Sequence, residues 1–356
     1  MKPDIRSPDG NTNRRWRLKI ATLVLTLAGA GLFAFLVYNV GLNEILNGIA
    51  RFGLAGFAVI LALYCGRIFV RSLAWKLSVH DPSSLGIRDA IPAVVIGEAL
   101  SSTIPLGILI SGTAKAVAVR HRLPLVAGLS SVATENLFYS LITSVFLIAG
   151  GVVLLRGFAV DPALILAINA LIGVVGILTV LGVVMVVRKW HFASVICEWL
   201  YAKRFFRGVL ENGRSEVRRF EDLIYGFYHG FPARFLPICL LEAGFHLFAM
   251  AEVWFILTRL TGELPSLTTT FLLESVSRLV TVIFKLVPFV IGVDEAGAQF
   301  VGEAVGLAAG VGVTMAVIRK ARILVWTLIG LLLMVKRGLS LSQFEVAEPD
   351  AATLKN

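Results

Sequence analysis

"ESVSRLVTVIFKLVPFVIGVDEAGAQF", residues 274–300, is apolar enough for a lipid bilayer, yet it carries Glu274, Arg278, Lys285, Asp294 and Glu295. A charge at the bilayer centre costs about 2.5–3.5 kcal/mol on the insertion scale, so five facing lipid would cost on the order of 12–17 kcal/mol. No single segment sustains that. These side chains must pair, line a cavity, or reach the headgroup level. Glu274, Arg278, Thr281 and Lys285 fall at i, i+4, i+7 and i+11, one stripe on one helix face. Glu274 and Arg278 are spaced to pair within the helix. Lys285 has no local partner; Asp294 and Glu295, beyond the break at Pro288 and Gly292, are the candidates. The expectation is a polar stripe that ends in a kink with an acidic pair.

The rest of the chain has the same character. Of its 356 residues 57% are hydrophobic and 16% charged, with mean hydropathy +0.84, against about 25% charged in a soluble domain. This is the composition of an all-α, polytopic integral membrane bundle. The net charge of +10 is then cytoplasmic loop charge, not a nucleic-acid footprint. Cys65, Cys197 and Cys239 share no metal-ligand spacing, so neither a disulfide framework nor a metal site is expected. There is no zinc-protease helix, P-loop, G-x-S-x-G turn or N-glycosylation acceptor. No cofactor and no catalytic residue are assigned, and the chain is read as a non-enzyme.

Apolar runs place seven spans near 18–40, 53–74, 124–150, 163–187, 235–258, 300–318 and 321–336. Two further segments are apolar but interrupted. Segment 90–118 holds Pro92, Pro105 and Gly107; segment 267–298 holds Pro288 and Gly292. Proline removes a backbone donor and clashes with the preceding turn, which the bilayer tolerates only where protein or a hydrated cavity covers the break. Both are read as broken or re-entrant. The order span, broken segment, span, span then occurs twice, an arrangement that suggests an inverted repeat with its binding site at the breaks. The organisation is a cytoplasmic tail 1–17, a first membrane half 18–187, a basic linker 188–234, a second half 235–336 and a tail 337–356.

Arg14, Arg15, Arg17 and Lys19 place the N-terminus in the cytoplasm. Arg71, Lys76 and Arg88 bring the chain back inside, as do Arg319, Lys320 and Arg322 between the last two spans. Lys336 and Arg337 oppose an external C-terminus. The loop 188–234 must be cytoplasmic. Its stretch from Phe192 to Leu210 has helical apolar spacing with Lys203, Arg204 and Arg207, suited either to an anionic leaflet or to packing on the bundle. Gly302, Gly306 and Gly310, four apart, read as a helix-packing stripe.

Other charges echo the opening stretch. Glu98 precedes Pro105 and Lys115 follows it; Glu135 lies in the next span, sharing a face with Tyr139. Glu242 and His246 sit one turn apart and read as a hydrogen-bonded pair in preference to a metal site. The residues expected to meet a polar substrate are Lys115, Arg278, Lys285, Asp294, Glu295, Glu98, Glu135, Glu274, Arg319 and Arg322. Pro105, Gly107, Gly112, Pro288 and Gly292 form the structural breaks.

The pattern P-x-x-x-G-V-x-E, here Pro288, Gly292, Val293 and Glu295, resembles the C-terminal signature of the lysylphosphatidylglycerol synthase transmembrane-region family, also called flippase-like membrane proteins. The first break, with Pro105, Gly107, Gly112 and Lys115, is similar to that family's other signature. "IRKARILVWTLIGLLL", with Arg322, is similar to its closing span. The resemblance covers 18–336. Phe289 stands where the family pattern has a second glycine, and Ser111–Thr113 where it has an acid. The run from Leu272 to Glu295 looks like the hopanoid-associated branch.

The resemblance implies lipid handling in a bacterial inner membrane. In the best-known members a soluble synthase domain follows the membrane region. Only residues 337–356 follow the last span here, so aminoacyl transfer is not expected. The expected function is a lipid translocase or lipid-binding transporter for an anionic or glycan-type headgroup. The alternatives are a membrane-embedded transferase using Glu242, His246 and Glu135 as acid–base groups, or a lipid-binding scaffold. Expected partners are membrane lipid and either a second copy of the chain or a lipid-synthesis enzyme.

Overall fold

The structure is a computed structural model, and it describes residues 26–103, 107–158, 161–203, 207–284, 288–308 and 310–339. Among them are twelve α-helices and no strand. The protein is a multi-pass helical membrane protein.

After α1 (Thr26–Val40), α2 runs Leu42–Ser78 with non-helical geometry at Gly53. Its 37 residues would reach ~55 Å at 1.5 Å each, and the break at Gly53 divides that length. Helices α5 (Leu125–Gly157), α6 (Pro162–Val187) and α9 (Phe235–Thr261) are also long and apolar enough to cross a membrane. Helix α6 starts cleanly because Asp161 accepts the Ala163 N–H at 2.8 Å with Pro162 at the first position. None of its described residues is buried; Leu166, Ile177 and Leu178 are exposed. Such a surface belongs against lipid.

Each interrupted segment is a pair of short helices in mutual contact. The first is α3 (Ile87–Thr103) with α4 (Gly107–Ala118), and the second is α10 (Leu267–Ile283) with α11 (Val293–Ala304). In both pairs the arms have 17 and 12 residues, too short to cross ~30 Å of hydrocarbon singly. Pro92 lies inside α3 and does not interrupt it, so it is not a break. Pro105 lies outside the described residues.

The spans expected at 300–318 and 321–336 do not exist as such. Helix α12 runs unbroken from Val311 to Lys336, through Arg319, Lys320 and Arg322. These cations need no exit to water because carboxylates on neighbouring helices receive them, as described below. The chain turns earlier, where Gly306 (φ +80°) and Gly310 (φ +84°) take left-handed backbone. Gly306 and Gly310 therefore serve a turn, while Gly302, buried inside α11, faces Gly312 and fits the expected packing role. Close helix approach falls at Gly312, where a Cβ would sit 2.4 Å from the Ala298 carbonyl oxygen.

The linker contains α7 (Phe192–Ala202) and α8 (Arg207–Gly230), packed on each other. The single helix expected from Phe192 to Leu210 is thus two; Arg204 lies outside the described residues. Glu221 ties them by accepting from the Ala193 N–H at 2.8 Å and from the Ser194 hydroxyl. Helix α7 leaves Phe192, Val195 and Trp199 exposed.

Among the described residues three apolar clusters make the core; the smallest gathers Ala74, Phe138, Phe227 and Ile238, and the two larger ones flank the polar residues. One joins Trp75, Ile96, Leu100, Val119 and Met334; the other joins Ile60, Ile256, Leu272, Val301 and Ile318. Along α2 and α12, Arg67, Arg319 and Arg322 fall between residues of the two clusters, and Arg71 lies one turn further along, beside Ile68 and Trp75 of the first. The polar layer lies between two greasy ones.

Candidate functional site

Helical periodicity aims the layer. On α2, Tyr64, Arg67 and Arg71 share one face; on α9, Glu242, Phe245, His246 and Glu252 do. Helices α2 and α9 pack closely, so the two faces meet. Helices α10 and α12 add Glu274, Ser277, Arg278, Arg319 and Arg322.

The layer holds two ion-pair clusters, and the Phe245 ring touches both. The guanidinium carbons of Arg67, Arg71 and Arg278 lie 4.3, 5.4 and 5.3 Å from its centroid, within cation–π range. On one side, fully buried Glu135 receives Arg71 Nε at 3.0 Å and buried Lys115 Nζ at 3.4 Å. Glu242, also fully buried, is close enough to feel Glu135, Arg71 and Lys115. Neither of its carboxyl oxygens has a hydrogen-bond partner among the described residues. The expected Glu242–His246 hydrogen bond is absent: His246 Nε2 lies 3.1 Å from Thr143 Oγ1, its Nδ1 is unpartnered, and its ring stacks on Phe146. Thr143 reaches across from α5 and takes the place the glutamate was expected to fill.

On the other side, Glu274 receives Arg278 Nη2 at 2.8 Å, the pair within the helix, and Arg319 Nη2 at 2.6 Å. Glu252 receives Arg322 Nη1 at 2.8 Å, with Arg67 Nη1 at 3.6 Å and Arg319 Nε at 3.6 Å from it. Four guanidiniums thus face two carboxylates directly. Among the described residues Asp294 is reached through Ser277, whose hydroxyl donates to it at 2.8 Å while accepting from Arg319 at 3.1 Å. The Nε–H groups of Arg67, Arg278 and Arg322 remain without an acceptor among the described residues, as does Glu252 Oε1 without a donor. Burying a guanidinium with idle donors is costly.

Beside it is a small polar pocket of about 10 Å³, room for about one water, lined by Tyr64, Glu98, Ser102, Trp326 and Thr327, among others. Tyr64 donates to Glu98 at 2.6 Å, and its ring lies 4.1 Å from the Arg322 guanidinium. A larger apolar groove of about 50 Å³ opens between α5, α6 and α10, next to Ser275.

Glu295 has another task. Its Oε2 accepts the Gly292 N–H at 2.8 Å, and its Oε1 receives Lys320 Nζ at 2.6 Å; the same ammonium lies 3.4 Å from the Val290 carbonyl. Together they hold a 3₁₀ turn, Pro288–Val290, in which Phe289 (φ +54°) and Val290 (φ +49°) take left-handed geometry that β-branched residues avoid. Gly292 is required twice: its φ is +83°, and a Cβ would sit 2.1 Å from the Gly29 carbonyl oxygen on α1. This accounts for P-x-x-x-G-V-x-E physically: a turn, a close helix approach and a cap. The partners of Asp294 and Glu295 are therefore Ser277 and Lys320, while Lys285 lies outside the described residues.

Of the residues expected to form the site, Lys115 and Glu135 meet in one cluster and Glu274, Arg278, Arg319 and Arg322 in the other. Glu98 borders the cavity, Asp294 and Glu295 lie on α11, and Gly107 and Gly112 lie on α4. Sequence reasoning missed Arg67 and Glu252, and it counted Arg71 and Lys320 as loop charges. The spacing of Arg67 and Arg71, four apart within an apolar span, was the available signal. No group of histidine, cysteine and acidic side chains suited to a metal ion occurs among the described residues.

Comparison with curated proteins and with solved structures finds no match. A family model, lysylphosphatidylglycerol synthase TM region, matches residues 18–330. Because that match takes in by far the greater part of the chain, the protein belongs to the lysylphosphatidylglycerol synthase TM-region family.

Proposed function

We propose that this protein is a lipid translocase or lipid-binding transporter that receives an anionic headgroup at the Arg67–Arg278–Arg322 side of the polar layer. The observation that carries this reading is the surplus of buried guanidinium donors over carboxylate acceptors. Charge-assisted bonds from arginine suit the paired oxygens of a phosphate or carboxylate. Membership of a lipid-related membrane family supports a lipid as the bearer of that group. The apolar groove beside Ser275 would keep the tail in a hydrocarbon setting. The two helix pairs with equal arms support an inverted-repeat transporter, in which the site is exposed to each leaflet in turn.

The test is leaflet exchange in proteoliposomes carrying a headgroup-labelled anionic lipid and an impermeant quencher. Wild-type protein is expected to expose the inner-leaflet label faster than protein-free vesicles, and Arg278→Gln to lose that exchange. Equal rates with wild type, the variant and no protein would remove the translocase reading.

A further inference from the structure

Glu242 is the one fully buried carboxyl in the layer for which neither oxygen has a donor among the described residues, its near neighbour being the Glu135 carboxyl. A buried carboxylate ordinarily gathers donors. The charged groups that face it are Arg71 from α2, Lys115 from α4 and Glu135 from α5, and both cations are already engaged by Glu135. Glu98 on α3 acts on the same two cations, and Tyr139 on α5 lies under Arg71 at 4.5 Å. On its own helix Glu242 is flanked by Cys239 and His246. Arg67, Glu274 and Arg278, from α2 and α10, act on His246. From α12, Arg319 and Arg322 are held by Glu252 and Glu274.

Two neighbouring carboxylates offer only acceptors to one another. One proton turns that repulsion into a hydrogen bond. The charge count then changes. With all four groups ionised, Arg71, Lys115, Glu135 and Glu242 sum to zero; with Glu242 protonated, one positive charge is left in a buried setting. Arg71, Arg67 and Arg278 all lie within 5.4 Å of the Phe245 ring centroid, so that charge is felt where the anionic headgroup would sit.

We propose that Glu242 is a proton-binding site and that its occupancy favours binding of the anionic lipid headgroup across Phe245, so that proton and lipid bind together. The inference rests on the lipid reading above and names its coupling ion. The chemistry balances simply: the carboxylate takes up one proton to become the acid, no other bond changes, and the reverse step returns the proton. By linkage, if the proton aids the lipid, the lipid aids the proton by the same factor.

The experiment uses the full chain in detergent, measuring retention of phosphatidylglycerol against phosphatidylcholine from mildly acidic to mildly alkaline pH. Infrared spectra across the same range report protonated carboxyl groups. Wild-type retention is expected to weaken about tenfold as pH rises, or ~1.4 kcal/mol, while a carboxylic-acid carbonyl band disappears. Glu242→Gln, which carries the charge of the protonated form, should retain the lipid equally at every pH and lack the band. Retention that ignores pH in wild type, with no such band, overturns the coupling and leaves the lipid reading standing. Unchanged pH dependence in Glu242→Gln overturns the assignment to Glu242. No retention at any pH overturns both readings. The wild-type infrared titration decides the matter even if the variant does not fold.

Discussion

On one side of the Phe245 ring, Glu242 keeps two oxygens without donors; on the other, Arg67, Arg278 and Arg322 keep Nε–H groups without acceptors. Both sides are buried, and both draw charges from a long helix and from an arm of an interrupted segment. They differ in what they are short of. On the proposed reading the Glu135–Glu242 side takes a proton and the guanidinium side an anion. That reading separates charges that hold the fold from charges held in readiness. Arg319, with partners at 2.6 and 3.1 Å, is of the first kind. Arg67, whose contact with Glu252 is 3.6 Å, is of the second.

The sharpest break in that contrast is Arg319→Leu. It strips Glu274 of its shortest partner, and breaking a buried ion pair on one side costs about 3–5 kcal/mol. A large fall in thermal stability in detergent is expected, and a variant as stable as wild type would show that Arg319 is not structural. Next comes Arg67→Gln. Lipid exchange should fall at least about tenfold, ~1.4 kcal/mol, with a loss of stability of only ~1 kcal/mol. Loss of folding in step with loss of exchange would place Arg67 with Arg319. The smallest effect is expected at the cavity. Tyr64→Phe removes the donor to Glu98 at 2.6 Å while keeping the ring beside Arg322, and should cost ~1 kcal/mol. Parallel melting curves of wild type and the variant would measure that cost, and no shift would mean that Glu98 finds another donor.

The membrane class, the two interrupted segments and the Glu274–Arg278 pair were legible because each depends on neighbours in sequence. Composition, proline position and a four-residue spacing carry that information. The course of α12 was not legible. Arg319, Lys320 and Arg322 look like loop charge when Lys and Arg are counted, since their partners Glu274, Glu295 and Glu252 lie 45, 25 and 70 residues away. Pairing over such distances leaves no local periodicity. The same limit hid the Thr143–His246 contact, 103 residues apart, and so the isolation of Glu242. The role of Glu295 was half legible. Its place after Pro288 and Gly292 marked it, but only the left-handed turn explains why a cap and a lysine are both needed there.

The most direct test is an electron cryomicroscopy map of the protein in nanodiscs containing phosphatidylglycerol. The account predicts headgroup density within hydrogen-bond distance of Arg67 and Arg278, against the Phe245 ring. Guanidiniums fully engaged by protein side chains, with no headgroup among them, would contradict it.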